Sequence, residues 1–233
     1  MLIVPAKNTV KFYLPNSIYH IYNRGVEKRI IFQDEQDYKV FLNYLKEYLS
    51  PLPDTESTKK EFTLKGQTFR GIPPQIKNFE NEIKLLAFCL MFNHFHLLVK
   101  QTGKDSIKKF MQSLLTRYSM YFNKKYNRTG SLFQGRYKAT NVINKDYLLD
   151  VTRYIHRNPL KFTKNLIDTY SSYAHYLNQF KLPWVKNEEV IEYFNKSTFI
   201  KSKNIKSYKE FVENFKYQNE ELDLTTDLKG SDL

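Results

Sequence analysis

Ile83 to Met91 reads IKLLAFCLM, a nearly continuous apolar run of strand length. Phe92-Asn93 follows as a bend or hairpin turn, and Phe95 to Lys100 reads as the next strand. Upstream, Ser17 to Asn23 (SIYHIYN) alternates, is rich in β-branched and aromatic residues, and ends at the turn Asn23-Arg24-Gly25. Residues 34–49 place Tyr38, Phe41, Leu42, Leu45 and Leu49 at helical spacing behind an acidic first turn. Downstream, residues 105–125 form a basic amphipathic helix, Leu132 to Ile143 a strand, and Lys145 to Asn158 a helix stopped by Pro159. The order strand, helix, strand, strand, helix, strand, helix predicts an α+β fold: one antiparallel sheet with helices packed on it.

Punctuation marks the remaining organisation. Pro51, Pro53, Gly66, Gly71, Pro73 and Pro74 lie among charges, so residues 51–81 read as a long loop or small insertion. After residue 160 the pattern loosens into a turn-rich stretch through Trp184, and 181–217 reads as a helical extension with short helices near 187–195 and 205–217. Residues 218–233 form an acidic tail expected to be disordered. The longest apolar run, Leu85 to Met91, is far below the roughly 18 residues a membrane span requires. The single cysteine, Cys89, excludes an internal disulfide and Cys-rich metal frameworks. A soluble, cytoplasmic protein with no membrane partner is expected.

Chemistry concentrates at His94-Phe95-His96. On a strand, residues i and i+2 share a face, so two imidazoles come within reach of one metal ion while Phe95 points to the core. Two hydrogen-bonded histidines at a strand end is the competing reading. Two imidazoles and one oxygen ligand would leave positions on a divalent ion for a phosphate oxygen. A zinc protease would need H-E-x-x-H on a helix, which is absent. The helix Lys145 to Asn158 offers an oxygen ligand and a nucleophile together. Tyr154 and Asn158, four apart, share the shoulder beside the Leu148, Val151 and Ile155 stripe. Tyr147, two turns earlier on that shoulder, competes as nucleophile. His156 lies nearly opposite Tyr154, and His20 adjoins the site only if its strand pairs centrally.

The formal net charge of +13 favours a polyanionic partner. Between Lys104 and Lys138, the bases Arg117, Lys124, Lys125, Arg128, Arg136 and Lys138 alternate with Tyr118, Tyr121, Tyr126, Phe133 and Tyr137. That pattern suits a groove that tracks a nucleic-acid backbone and stacks unpaired bases. Arg24, Lys28 and Arg29 form a smaller cluster, and Arg153 and Arg157 an i,i+4 pair suited to phosphates. A solvated basic face is the plainer alternative for the Lys104 to Lys138 stretch.

Five collinear pieces resemble the single-tyrosine HUH transposases, in particular the REP-associated tyrosine transposases (RAYTs). They are Tyr19-His20-Ile21-Tyr22-Asn23-Arg24-Gly25, Met91 to Val99 (MFNHFHLLV), Gly130 to Lys138 (GSLFQGRYK), Tyr154-Ile155-His156-Arg157-Asn158-Pro159, and Ser171-Ser172-Tyr173. The resemblance implies a catalytic domain over 1–180 with an RRM-like, ferredoxin-like sheet carrying the histidines. It implies His94 and His96 as ligands of Mg²⁺ or Mn²⁺, Asn158 as third ligand or metal-site partner, and Tyr154 as nucleophile. The implied reaction cuts and rejoins single-stranded DNA beside hairpins through a 5′-phosphotyrosine link, in a monomer or homodimer. Phe92 departs from the proline usual in that family before Asn-His. The rival function is a non-cleaving repressor or nucleic-acid chaperone on the same fold. A replication or conjugation initiator fits less well, because such enzymes commonly carry further domains.

Overall fold

The structure, a computed structural model, describes residues 13–52, 60–71 and 77–214. The strands β1 (Ile18–Arg24), β4 (Ile83–Met91), β5 (His94–Gln101) and β6 (Lys138–Val142) form one sheet in the order β4-β5-β1-β6, with neighbours antiparallel. Helix α1 (Glu35–Leu49) connects β1 to β4, and α2 (Ser106–Lys125) connects β5 to β6. Each connection skips a strand. This βαββαβ path is the ferredoxin-like arrangement expected from the sequence, and β1 lies centrally within it.

Alternation along β5 sorts the core into two layers. Phe95, Leu97 and Val99 pack with Tyr19, Ile21, Phe41, Leu45, Phe110, Leu114 and Tyr118 between the sheet and α1 and α2. The opposite face carries His94, His96 and Leu98 and is covered by α3 (Lys145–Arg157) and the segments C-terminal to it. A register shift between Leu85 and Ala87 on β4 puts Leu85 in the first layer and Leu86 and Ala87 in the second. The near-continuous apolar character of Ile83–Met91 is thereby explained: helices lie on both sides of it.

Local chemistry sets the helix ends. Asp34 accepts from the Asp37 backbone N–H at the start of α1, and Asn144 accepts from the Tyr147 N–H at the start of α3. Pro159 lies in the 3-10 turn Asn158–Lys161, which ends α3 where the sequence places the stop.

Two expectations are corrected. The strand expected over Leu132 to Ile143 is confined to Lys138–Val142, because Gly135 adopts a positive φ (65°) and only the isolated Gly25–Phe133 bridge pairs before it. Within 51–81, β2 (Lys60–Leu64) and β3 (Gln67–Gly71) pair as a hairpin about Lys65-Gly66, so the segment is not wholly a loop. The extension holds α5 (Glu188–Lys196), α6 (Thr198–Ser202) and α7 (Tyr208–Glu213) after the short α4 (Tyr173–Tyr176); α5 and α7 fall within about a residue of the two expected helices, and α6 lies between them. The acidic tail lies outside the described residues.

Gly25 marks a close backbone approach at the end of β1. A Cβ there would sit 2.2 Å from the Arg29 carbonyl oxygen, and the Gly25 N–H donates to Asn93 O at 2.9 Å. Gly25→Ala is expected to lower stability by about 2–3 kcal/mol in urea titration, since backbone and not a flexible side chain would have to yield. An unchanged urea midpoint would contradict that reading.

Candidate active site

The second face of the sheet gathers three imidazoles and two phenols. Register puts Tyr22 opposite His96, and Arg24 opposite His94. Alternation therefore brings His20, Tyr22, His94 and His96 to one face. The ring centroids of His94 and His96 are 5.1 Å apart, as are those of His20 and His96. Tyr22 lies 5.1 Å from His20 and 5.8 Å from His96. From the helix above, the Tyr154 ring approaches edge-on, 5.4 Å from His96 and 5.9 Å from His20. One chain thus brings the candidate nucleophile and the twin imidazoles together. Tyr147, the competitor, lines a cavity with Thr140, Asn141 and Asp150.

Hydrogen bonding orients both histidines. Asn93 donates through Nδ2 to the Lys28 carbonyl, which turns its Oδ1 toward His94 Nδ1 at 2.6 Å. An amide oxygen only accepts, so His94 carries its proton on Nδ1 and its lone pair on Nε2. His96 Nδ1 is 2.9 Å from His20 Nε2, while His96 Nε2 is buried with no hydrogen-bond partner. A proton on that orphan nitrogen would leave a buried N–H unsatisfied, costing about 1–3 kcal/mol. The favoured tautomer therefore has His96 donating from Nδ1 to His20 and presenting a lone pair at Nε2. Burial, with the neighbouring His94 and His20 imidazoles and the Lys161 ammonium, holds His96 well below its ordinary pKa. Burial alone pushes His20 down to about 3.

These atoms fit a divalent ion in part. Two imidazole nitrogens with lone pairs on one face suit it, and the buried, unpartnered His96 Nε2 is the atom such an ion would satisfy. Among the described residues no group of three or more His, Cys, Asp or Glu forms a metal cage. His20 does not complete one, because its Nε2 faces His96. A further ligand has to be an oxygen of another type. Asn158 is buried at the end of α3, one turn past Tyr154, and its Nδ2 donates to the Tyr154 carbonyl at 3.1 Å.

The expected nucleic-acid-binding residues divide. Lys28, Lys124 and Arg136 are exposed, and Lys138 Nζ lies 5.6 Å above the Tyr22 ring on the histidine face. Arg24 donates to Gln134 Oε1, Arg29 pairs with Glu27 at 3.6 Å, and Arg128 donates to Asn123 at 3.0 Å. Two groups have partners within the chain. Arg117 pairs with Glu47 at 2.5 Å over the Tyr44 ring, and Lys125 with Asp34 and Asp37 at 2.7 and 2.8 Å. Both therefore tie α2 to the acidic α1 and its cap, on the sheet face away from the histidines. Arg153 donates to Phe211 O at 2.6 Å, and Arg157 to the Val212 and Glu213 carbonyls. This pair caps α7 and fastens the extension to α3, because carbonyls at a helix end lack internal partners.

His156, ranked below Asn158 as a ligand, is fully buried and bonds Tyr208 Oη and Ser172 Oγ, each at 2.8 Å. Sequence reasoning missed the orienting role of His20, the presence of Tyr22, and Lys161. The i, i+2 spacing of His20 and Tyr22 was the available signal, and it becomes decisive only once β1 pairs with β5.

A ferredoxin-like sheet bearing twin imidazoles, with a helix-borne phenol over them, is the arrangement that the sequence resemblance implies. Residues 55–158, the span holding both histidines and Tyr154, match the model of the IS200-like transposases. The chain is thus similar to that family over 104 of its 233 residues. Its fold is that of a REP-associated tyrosine transposase solved with a REP hairpin bound, at TM-score 0.52 and 12% identity over 79% of this chain and 93% of that one. A transposase structure from Deinococcus radiodurans R1 aligns at TM-score 0.36 and 14% identity, over 65% and 95% of the two chains. No curated protein sequence matches the chain. Among the described residues no helix is long and apolar enough to cross a membrane.

Proposed function

We propose that this protein is a DNA transposase that cuts and rejoins single-stranded DNA beside hairpins of the REP type, with Tyr154 as nucleophile. The observation that carries the reading is the 5.4 Å approach of the Tyr154 ring to His96 within one chain. The relative solved with a REP hairpin supports the choice of substrate. In the forward step the Tyr154 oxygen attacks phosphorus as its proton leaves, and the P–O3′ bond breaks. A 5′-phosphotyrosine and a protonated 3′-hydroxyl result. In the reverse step a 3′-hydroxyl attacks the phosphotyrosine, so rejoining requires no ATP.

His94 and His96 would hold Mg²⁺ or Mn²⁺ through Nε2, with the Asn158 carbonyl oxygen as third ligand. Such an ion, when bound, withdraws charge from a phosphate oxygen and stabilises the leaving alkoxide. His20 keeps the His96 lone pair directed outward. Lys161, whose charge is felt at His96, adds positive potential for the phosphate.

The test is incubation with hairpin-bearing single strands from the flanks of the encoding locus, with Mn²⁺, followed by denaturing electrophoresis. A covalent adduct is expected. The His94→Ala, His96→Ala double variant is expected to lose cleavage and divalent-ion dependence together, with hairpin binding kept within about twofold. An adduct that persists in chelator would contradict the metal assignment. Hairpin binding without any adduct would favour the repressor or chaperone reading.

A further inference from the structure

We propose that Phe92 and Phe162 form a stacking site for a nucleobase of the single strand next to the phosphate at Tyr154, an inference that rests on the strand-transfer reading above. The two rings touch edge to face, with centroids 5.2 Å apart and planes at 85°, yet Phe92 is 38% and Phe162 64% exposed. Single exposed apolar side chains are ordinary. Two exposed phenylalanine rings in contact occur nowhere else among the described residues. In an edge-to-face pair, the ring that offers its edge keeps both faces for other partners, and an unpaired base stacks on such a face.

Position ties the pair to the catalytic residues. Phe92 lies in the β4–β5 turn, two residues before His94, and its carbonyl accepts from the Ile31 and Phe32 N–H groups at 2.8 and 3.0 Å. Phe162 follows the 3-10 turn that starts at Asn158, and its N–H donates to Pro159 O at 2.9 Å. Backbone hydrogen bonds thus hold both rings on the segments that carry a histidine ligand and the end of the tyrosine helix. Charge complements the aromatic surface, because Lys161 adjoins Phe162 and the exposed Lys28 lies on the loop bonded to Asn93. A strand of single-stranded DNA matches both: phosphates for the lysines and an unstacked base for the rings. A duplex would not, since its bases are already stacked.

The probes are a 20-nucleotide dT strand and an abasic strand of equal length and charge, titrated in chelator. Phe92→Ala with Phe162→Ala is expected to weaken dT binding by about ten- to a hundredfold and abasic binding by less than about twofold. Phe162→Trp is expected to keep dT affinity, and its fluorescence to be quenched by dT and not by the abasic strand. The native Trp184 is buried and supplies a constant background. Equal losses on both strands, an unchanged dT affinity in the double variant, or indole fluorescence of the Phe162→Trp variant that dT fails to quench would each overturn the proposal. Because these titrations read binding alone, a wild-type protein that forms no adduct overturns the strand-transfer reading and leaves the stacking result readable.

Discussion

Tyr154→Phe will abolish the denaturation-resistant DNA adduct, with cleavage reduced by roughly 10⁴-fold or more, while hairpin binding changes by less than about twofold. The substitution removes one oxygen and keeps the ring that packs 5.4 Å from His96 and 5.9 Å from His20. The imidazole cluster and the face of α3 are therefore preserved, and the loss reports chemistry and not folding. Single-turnover cleavage of an end-labelled hairpin strand, run beside a binding titration, separates the two. An adduct that survived would move the nucleophile, with Tyr147 the next candidate along the same helix. Rejoining, read from a preformed 3′-hydroxyl strand, is expected to vanish in parallel, since both steps pass through the same oxygen.

Acid will unfold this protein steeply, and two buried histidines outside the proposed ligand pair are enough to show why. Burial pushes His20 down to about 3 and, with the His175 imidazole adding to it, His156 down to about 3. Unfolded, each titrates near 6.5. Below that pH the unfolded chain binds more protons than the folded one, so stability rises with pH. The contribution is complete above about pH 6.5 and is lost progressively as pH falls toward 3. Each histidine costs about 1.4 kcal/mol per pH unit in that window. At pH 4.5 the two together remove about 5 kcal/mol, on the scale of a whole domain's stability. Urea midpoints in chelator at pH 7.5, 6, 5 and 4.5 will show the slope, and His156→Gln should halve the share from this pair. A profile flat from pH 7.5 to 4.5 would sink the explanation.

Much of the architecture was legible because it rests on local periodicity. IKLLAFCLM declares a buried strand, the two residues after it a turn, and the stripe Leu148, Val151, Ile155 a helix ended by Pro159. Two segments were less legible. Around Gly135 the residue types read as a strand, but positive φ at that glycine takes the backbone out of the ladder. In 51–81, scattered prolines and glycines obscured a hairpin whose alternating residues are mostly polar.

Charges were harder to read than apolar residues. Arg117, Lys125, Arg153 and Arg157 look alike in sequence to phosphate-binding bases. Their partners are Glu47, Asp34 and Asp37, and the carbonyls at the end of α7, all distant in sequence. Nothing local to an arginine tells whether its guanidinium meets a carbonyl or a solvent-facing anion site. Phe92 and Phe162 illustrate the converse: seventy residues apart in the chain, they become a surface only when the β4–β5 turn and the end of α3 meet.

By itself the sequence determined which residues share a strand or helix face, and so the pairing of His94 with His96 and of Tyr154 with Asn158. Those relations follow from the periods of 2 and 3.6, which act over a few residues. Only the tertiary structure decided that β1 runs through the middle of the sheet, that His20 orients His96, and that the tyrosine helix lies over its own chain's histidines. Each of these is a contact between segments tens of residues apart. Such contacts are selected by burial of apolar surface across the whole domain, a global quantity that no local window contains.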